Sequence, residues 1–274
     1  MKKFLLILFI TTIWSCSSDN ANNAATLEAT QQLDVAYGSD AQQTYDIYLP
    51  AGRTNATKVM FIVHGGSWIS GSKEDMNPLV LLLKTQYPQY AIVNLNYRLA
   101  TTTSPAYPKQ TDDIASVMEH VESNYSLSQN YGMIGTSAGG HLSMLYAYKL
   151  DTQNHVKVVC NIVGPSDFND PSYAGSELET TLLPYLAGSN ITDEYLTVVS
   201  PITHVSATSP PTIQFMGNAD PLIPVTQGQR LKTRLDSFDI SNELHTYNAG
   251  HGDFSFTDTQ EIYSKMGNFL SIHF

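Results

Sequence analysis

The chain of 274 residues is poor in cysteine and in basic side chains, and each shortage excludes a class of protein. Its two cysteines are Cys16, just after an N-terminal apolar run, and Cys160, inside a strand-like run, so no disulfide framework is expected. Its 14 basic side chains face 25 acidic ones, which gives a net charge of −11 without any basic cluster. Such a surface repels nucleic acid and anionic lipid, so we expect no nucleic-acid partner.

Sequence motifs that hold metals and cofactors are also missing. The chain has no Cys/His spacing typical of zinc, no glycine-rich phosphate loop and no dinucleotide fingerprint. His141 and His251 have no clustered carboxylate partners in the sequence, so we expect neither a metal nor a cofactor. Cys160 lies in an apolar run and is expected to be an inert core residue, not a nucleophile.

The first residues have the pattern of an export signal. Met-Lys-Lys is a basic start, and Phe4–Ile13 is an apolar run too short for a typical membrane span. Ile13-Trp-Ser-Cys16 then resembles the cleavage site of bacterial lipoproteins, although Trp14 is bulkier than usual. We therefore expect a signal peptide at 1–15, a lipid on Cys16 and a flexible tether at 16–32. An ordinary secretory signal, cut slightly later, is the alternative.

The export signal predicts the location of the protein. Removal of residues 1–15 would take away Lys2 and Lys3 and change the net charge from −11 to −13. The mature protein is then expected in the cell envelope, periplasmic or at the surface, and in contact with a membrane only through the lipid on Cys16. Without the lipid it would be a simply secreted protein.

Residues 33–274 have the pattern of one α/β domain, and a hydrophobic content of 42% can fill a sizeable core. Apolar strand-like runs alternate with helical patterns, which lie at about 74–86, 110–123, 138–150, 226–238 and 257–271. This alternation predicts a mostly parallel sheet with helices on both faces. Residues 171–201 interrupt the pattern, and we expect a small cap insertion there.

The most informative motif is Gly-Thr-Ser-Ala-Gly at 135–139, a G-x-S-x-G centred on Ser137. An apolar run precedes it and a helical pattern follows, so Ser137 is expected at a tight strand-to-helix turn with its Oγ above the sheet. The N–H of Ala138, at the start of the helix, would then face a developing oxyanion. The alternative is a plain turn that needs small residues.

A second glycine-rich turn follows the apolar run Lys58–Val63, where the chain continues as His-Gly-Gly-Ser-Trp. Glycines let the main chain turn so that N–H groups point into a site, and Gly66 and Ser67 are expected to complete an oxyanion hole. His64 is expected to hold this loop through a hydrogen bond, and Trp68 to contact the substrate. A turn that merely needs glycine is the alternative.

Together these motifs resemble those of a known family. His-Gly-Gly-x-Trp, Asn-Tyr-Arg-Leu at 96–99, Tyr-Pro at 107–108 followed by Asp112 and Asp113, and Gly-x-Ser-Ala-Gly-Gly-His occur in the order typical of α/β-hydrolase esterases. Over roughly residues 43–255 the chain is similar to the group of carboxylesterases, acetyl-xylan or feruloyl esterases and hormone-sensitive-lipase-like enzymes. Ser67 replaces the third glycine of hormone-sensitive-lipase-like enzymes, which favours the His-Gly-Gly-x-Trp branch that includes kynurenine formamidases. The resemblance implies an α/β-hydrolase fold.

A nucleophilic serine needs a base, and in this fold the histidine comes after the acid along the chain. His251 stands between glycines on a loop that follows a strand-like run, so it is the expected base. His245 lies inside that run and is expected to be structural. His141, in the helix after Ser137, is expected to fix the local packing.

Two aspartates are candidates for the acid. Asp220 lies in Gly-Asn-Ala-Asp-Pro-Leu-Ile-Pro, a proline-stiffened loop after an apolar run that resembles the family's acid loop. Asp167 also follows a strand-like run, one strand earlier, where some lipases place their acid. The better-matched loop favours Asp220, and Asp167 would then be structural or shape the pocket floor.

These residues predict a serine hydrolase of carboxylic esters, in which Ser137 attacks, His251 moves the proton and Asp220 orients the imidazole. No long apolar lid segment is evident, which favours short acyl chains, and an exported location suits removal of acyl groups from polysaccharides. The expected partner is therefore a small-molecule or carbohydrate ester. An arylformamidase or peptidase on the same fold, or a non-catalytic binding module, are the alternatives, and the last is opposed by the filled triad positions.

Overall fold

The computed structural model describes residues 27–188 and 191–274. The predicted signal peptide at 1–15, the lipidation site Cys16 and most of the predicted tether lie outside these residues. Among the described helices, none combines the length and the apolar character that a membrane span requires.

One sheet of eight strands forms the centre of the molecule. The strands are β1 (Thr30–Ala36), β2 (Thr44–Leu49), β3 (Val59–Val63), β4 (Ala91–Leu95), β5 (Tyr131–Thr136), β6 (Val156–Ile162), β7 (Thr212–Gly217) and β8 (Asn242–Tyr247). They lie in the order β1-β2-β4-β3-β5-β6-β7-β8, and the strands from β4 to β8 in this order are all parallel. The central strands are buried on both faces, which explains their continuous apolar runs.

Helices cover both faces of this sheet, as predicted. In the described residues they are α1 (Asn77–Gln86), α2 (Lys109–Asn124), α3 (Ala138–Leu145), α4 (Leu183–Ala187), α5 (Asp193–Val199), α6 (Thr226–Asp236) and α7 (Phe256–His273). Apolar side chains of α1 and α7 fill the core on one face. Those of α2, α3 and α6 fill the core on the other face. The predicted mostly parallel sheet with helices on both faces is confirmed.

The two antiparallel strands at one end of the sheet were not indicated by the sequence patterns. β1 pairs with β2 and β2 with β4, both antiparallel. Thr30 lies opposite Leu49 in this register, so residues 30–32, which we assigned to the tether, belong to β1. The tether boundary is corrected accordingly, because these residues are held by strand pairing.

The segment predicted as a cap insertion contains α4 and α5, and a single π-helical turn at Leu178–Leu182 precedes α4. Backbone hydrogen bonds attach it to the chain before α2, since the N–H of Ala106 donates to the carbonyl of Tyr185 at 2.8 Å. The insertion is therefore held against the chain that precedes α2.

Two motif residues of the sequence resemblance stabilise the chain beside the predicted oxyanion loop. Asp113 of α2 is buried and accepts from the guanidinium of Arg98, with Nη2 at 2.6 Å from Oδ1, and from the N–H of Arg98 at 2.8 Å. Both ends of this ion pair are hydrogen-bonded, which is the condition under which a buried pair is tolerated. The motif thus fixes the segment that follows β4.

The topology brings the predicted site residues to one edge of the sheet. The loops that carry them follow β3, β5, β7 and β8, and these strands run parallel. Their carboxyl ends therefore lie at the same edge, where open α/β sheets bind ligands.

Candidate active site

Ser137 lies at the junction of β5 and α3 in a strained backbone conformation, with φ 53° and ψ −119°. A non-glycine residue in such a region costs on the order of 1–3 kcal/mol and persists only where its surroundings enforce it. Here the N–H of Ser137 donates to the carbonyl of Ile162 at 2.7 Å, and the Ser137 carbonyl accepts from the N–H of His141 at 3.0 Å. A Cβ at position 139 would collide with carbonyl oxygens at the end of β3, so this position requires glycine.

Three side chains from three different loops form a chain of hydrogen bonds. His251 Nε2 lies 2.9 Å from Ser137 Oγ, and His251 Nδ1 lies 2.7 Å from Asp220 Oδ2. The other carboxylate oxygen of Asp220 accepts from the N–H groups of Leu222 and Ile223, both at 2.8 Å. Because a carboxylate only accepts, Nδ1 carries the imidazole proton and Nε2 is free to accept from the serine hydroxyl. This polarity is that of a Ser-His-acid triad.

The three hydrogen-bonded residues differ in how far they are buried. The Asp220 side chain is 0% exposed, whereas the His251 side chain is 25% exposed. Ser137 is 9% exposed. The carboxylate is thus shielded from water and fixed by backbone donors, while the imidazole borders solvent.

The other candidates for the acid and the base, Asp167 and His245, form hydrogen bonds with residues outside this site. Asp167 Oδ2 accepts from the guanidinium of Arg230 on α6, with Nε at 2.8 Å. Gln227 of the same helix accepts from the N–H of Asp167 at 2.8 Å, so this aspartate holds α6 against the segment after β6. His245 lies on β8, where Glu243 and Lys265 contact its two ring nitrogens at 2.7 Å and 3.0 Å. The structure therefore brings Asp220 and His251, not these residues, to Ser137.

The loop after β3 lies directly against Ser137. A Cβ added to Gly65 would lie 3.3 Å from the Cβ of Ser137. Gly66, Ser67 and Trp68 all have positive φ values, of 109°, 52° and 67°. Among the described residues, the N–H groups of Gly66, Ser67 and Ala138 donate to no other group of the chain. These three N–H groups are therefore free to bind an anion beside the serine.

His64 holds the start of this loop. Its Nδ1 lies 2.7 Å from the carbonyl oxygen of Gly65, so Nδ1 carries the proton and donates. The ring is buried and stacks on Tyr97 with 4.1 Å between the ring centroids. The Tyr97 hydroxyl in turn donates to the His64 carbonyl at 2.9 Å. Burial lowers the pKa of His64, which keeps the ring neutral.

Trp68 does not occupy the place that we expected. Its side chain was predicted to contact the substrate, but the residue is only 1% exposed. The indole Nε1–H donates to His141 Nδ1 at 3.2 Å, and the Trp68 carbonyl accepts from Gln110 Nε2 at 2.7 Å. Trp68 is therefore a core residue that holds the loop in place, and the expected substrate contact is corrected.

His141 connects the loop, α3 and the cap insertion. Its Nδ1 accepts from the Trp68 indole, which can only donate, so Nε2 carries the proton and donates to the Val199 carbonyl at 2.8 Å. Burial of the ring is complete and lowers the pKa of His141 to about 4. This bond pattern was missed by sequence reasoning, because Trp68 and His141 are 73 positions apart and no local pattern encodes their contact.

The remaining candidates for other chemistry lie away from the triad. Cys160 is buried within β6, and this burial raises the pKa of its thiol. Within the ranges that the structure describes, no group of three or more His, Cys, Asp or Glu side chains is arranged to hold a metal ion.

A family model described as BD-FAE matches residues 45–235, well over half of the chain, and the protein belongs to this α/β-hydrolase family. Esterase LipC of Mycobacterium tuberculosis is 26% identical over 239 residues, which cover 80% of this chain and 59% of LipC. Versiconal hemiacetal acetate esterase of Dothistroma septosporum is 29% identical over 131 residues, or 46% of this chain and 39% of that protein. The chain thus spans less than two thirds of each of these relatives.

The fold has counterparts among solved structures. A truncated carbohydrate esterase from gut microbiota superposes with a TM-score of 0.73 at 22% identity, covering 89% of this chain and 99% of that one. At this identity the likeness shows the fold alone. Both the resemblance to α/β-hydrolase esterases and the predicted fold class are confirmed.

His141 should make the stability of the protein depend on pH. Its pKa falls from the ordinary 6.5 to about 4 in the folded protein, so below pH 6.5 the unfolded chain binds more protons than the folded one. The free energy of unfolding should therefore fall as the pH drops through this window, with His141 contributing about 2 kcal/mol between pH 7 and pH 5. Urea titrations at the two pH values measure this difference.

His141→Gln should remove that share of the pH dependence. His155→Gln, at a partly exposed histidine outside the site, serves as the control and should show the wild-type change in the free energy of unfolding between the two pH values. An unchanged pH dependence in His141→Gln would show that the His141 ring is not held neutral by its burial.

Proposed function

We propose that the protein is a serine hydrolase of carboxylic esters. The observation that carries this proposal is the hydrogen-bond chain from Asp220 through His251 to Ser137, with the polarity needed to draw a proton from the serine. The esterase names of relatives in the same family support it.

In this mechanism Ser137 Oγ attacks the acyl carbon while its proton passes to His251 Nε2. The carbonyl oxygen becomes negative and accepts hydrogen bonds from the N–H groups of Gly66, Ser67 and Ala138. Each such donor contributes on the order of 3 kcal/mol where it has been tested in other enzymes. Asp220 keeps the Nδ1 proton in place and stabilises the imidazolium that forms.

The intermediate then collapses, and the bond between the acyl carbon and the alcohol oxygen breaks. His251 returns its proton to the departing alcohol, which leaves the acyl group on Ser137. Water attacks this acyl-enzyme with His251 as the base, and the second collapse releases the acid and restores the serine hydroxyl.

We propose short acyl esters as the substrates, including acyl groups carried by polysaccharides. The name of one sequence relative specifies an acetate ester, and one structural relative is described as a carbohydrate esterase. Neither name decides the alcohol for this chain, so a substrate panel must include acetylated xylan beside small acetates.

Two substitutions of aspartate separate the proposed acid from its competitor. Asp220→Asn should lower kcat for p-nitrophenyl acetate by at least about a hundredfold, because an amide no longer holds the Nδ1–H tautomer. Asp167→Asn should lower kcat less than about tenfold, since Asp167 contacts Arg230 and not His251.

Ser137→Ala should lower kcat for p-nitrophenyl acetate by at least about a thousandfold, because the attacking oxygen is removed.

Thermal unfolding of each variant is the control for folding. A larger loss in Asp167→Asn than in Asp220→Asn would move the acid to the loop after β6. If Ser137→Ala hydrolysed the ester within tenfold of the wild-type rate, Ser137 could not be the nucleophile.

We further propose that the protein is anchored by a lipid on Cys16. β1 starts at Thr30, beside Leu49 of β2, and β2 runs antiparallel to β4, so Thr30 lies near the amino-terminal edge of the parallel strands. The triad lies at the opposite edge. A tether that enters there would direct the active site away from the membrane, towards substrates in the surrounding medium.

Cys16→Ser should abolish this anchoring without harm to the esterase site. The native protein should partition into the detergent phase and yield an N-terminal peptide with the mass of a lipid-modified cysteine, because two or three acyl chains give stable anchoring. The variant should carry no lipid mass and be either unprocessed at this site or cleaved at another position, with its ester hydrolysis retained. Native protein found wholly in the aqueous phase, with an unmodified N-terminal peptide, would leave a simply secreted enzyme.

A further inference from the structure

Lys73 lies in the turn that follows the loop after β3, and its ammonium group is surrounded by carboxylates. The residue is only 3% exposed. Its Nζ lies 2.7 Å from Oδ1 of Asp46, 2.9 Å from Oδ1 of Asp34 and 3.0 Å from Oε1 of Glu74. Asp46 belongs to β2 and is itself buried, whereas Asp34 and Glu74 are exposed. Because a buried charge must be paired, the position of Lys73 depends on these carboxylates.

The main chain of Lys73 is bonded to the end of β4. Its N–H donates to Oδ1 of Asn96 at 2.7 Å, and its carbonyl accepts from Nδ2 of Asn94, also at 2.7 Å. Asn94 lies on β4 and is fully buried, and Asn96 follows the last residue of this strand. The turn is thus attached to β4 through its main chain and to β1 and β2 through one side chain.

The edge strand β1 contains a β-bulge at the residue that contacts Lys73. The register between β1 and β2 shifts between Gln32 and Val35. Asp34 lies in this bulge with a positive φ of 54°, and its N–H donates to Oδ1 of Asp46 at 2.9 Å. A bulge can re-aim a side chain, and this one directs the carboxylate of Asp34 towards the ammonium group of Lys73.

The end of the loop after β3 controls the two peptide groups that carry the free N–H groups of this loop. The carbonyl of Gly66 shares a planar peptide with the N–H of Ser67, and it accepts from the N–H and Oγ of Ser70, both at 3.0 Å. The carbonyl of Gly65 shares a peptide with the N–H of Gly66, and a Cβ added to Gly71 would lie 2.5 Å from that oxygen. Since a planar trans peptide directs its N–H away from its carbonyl, Ser70 and Gly71 set the directions of both N–H groups.

We propose that Lys73 is a positioning residue for the oxyanion hole. Its ion pairs with β1 and β2 hold the end of the loop after β3, and this end orients the N–H groups of Gly66 and Ser67. The inference rests on the proposed esterase function and adds a residue that acts through the loop, without contact with the ester. A misplacement of about 1 Å can cost about a hundredfold in rate, so even a small shift of the loop should be measurable.

Lys73 and Asp46 should be replaced together, because a single replacement would leave a buried charge without its partner. Lys73→Met with Asp46→Asn removes both charges and keeps side chains of similar length. Lys232→Met with Asp236→Asn makes the same two substitutions at an ion pair on α6, where Nζ and Oδ2 lie 3.0 Å apart. This second pair lies outside the site and is the matched control.

The paired variant at Lys73 and Asp46 should lower kcat for p-nitrophenyl acetate at least about tenfold with KM nearly unchanged. Formation and hydrolysis of the acyl-enzyme both pass through an oxyanion, so both steps should slow together. The inhibition constant of a trifluoromethyl ketone, whose adduct with the serine carries the same oxyanion, should rise by the same factor. The control pair should keep the wild-type values. Each kcat is expressed per active site counted with a fluorophosphonate, and thermal unfolding reports on folding.

Asp34→Asn tests the same ion pairs at an exposed residue, where the buried core is not disturbed. It should lower kcat at least about twofold with KM unchanged, because one of the carboxylates that hold Lys73 is lost. Asp239→Asn, at an exposed aspartate after α6 with a similar φ of 56°, is its control and should keep the wild-type kcat.

Other outcomes would overturn the inference. A folded paired variant with wild-type kcat and wild-type inhibition would show that Lys73 contributes to stability alone, while the esterase function would stand. If the paired variant does not fold, an equal kcat in Asp34→Asn and Asp239→Asn would overturn the inference in the same way. A wild-type protein that hydrolyses no ester would overturn the proposed function and this inference with it.

Discussion

The strained turn at Ser137 is the constraint on which the arrangement of the site depends. A φ of 53° at this residue places its hydroxyl above the end of β5, and the strain is held by backbone hydrogen bonds to β6 and within α3. The same turn brings α3 against the end of β3, where Gly139 leaves room for the carbonyl oxygens. Ala138 at the start of α3 and the loop after β3 thereby come to lie on the same side of the serine.

The buried contacts around this turn keep the loop after β3 in register with α3. Trp68 donates to His141, and His141 donates to Val199 at the end of α5, so the loop, α3 and the cap insertion are joined by two hydrogen bonds. The bond from Trp68 needs an unprotonated Nδ1 and therefore a neutral ring, and burial lowers the pKa of His141 to about 4. The position of the loop after β3 relative to the start of α3 is therefore fixed by buried structure.

Local sequence patterns predicted the parallel strands and the loops of Ser137, Asp220 and His251, because each depends on a short stretch of chain. Ser137, Asp220 and His251 each lie in a glycine- or proline-rich turn or loop that follows a strand, and parallel strands must end at one edge of the sheet. Trp68 could not be placed in this way, because its burial depends on a partner 73 positions away. β1 is mostly exposed at the edge of the sheet, so it lacks the apolar pattern that identified the central strands.

The central claim is that Ser137 is the nucleophile, and covalent labelling with a fluorophosphonate tests it most directly. The account predicts one adduct per chain, found by peptide mass analysis on the segment that contains Ser137, with ester hydrolysis lost in proportion to labelling. Ser137→Ala should take up no label while remaining folded. Full labelling of Ser137→Ala, or wild-type protein that hydrolyses esters but carries its adduct on another residue, would contradict the account.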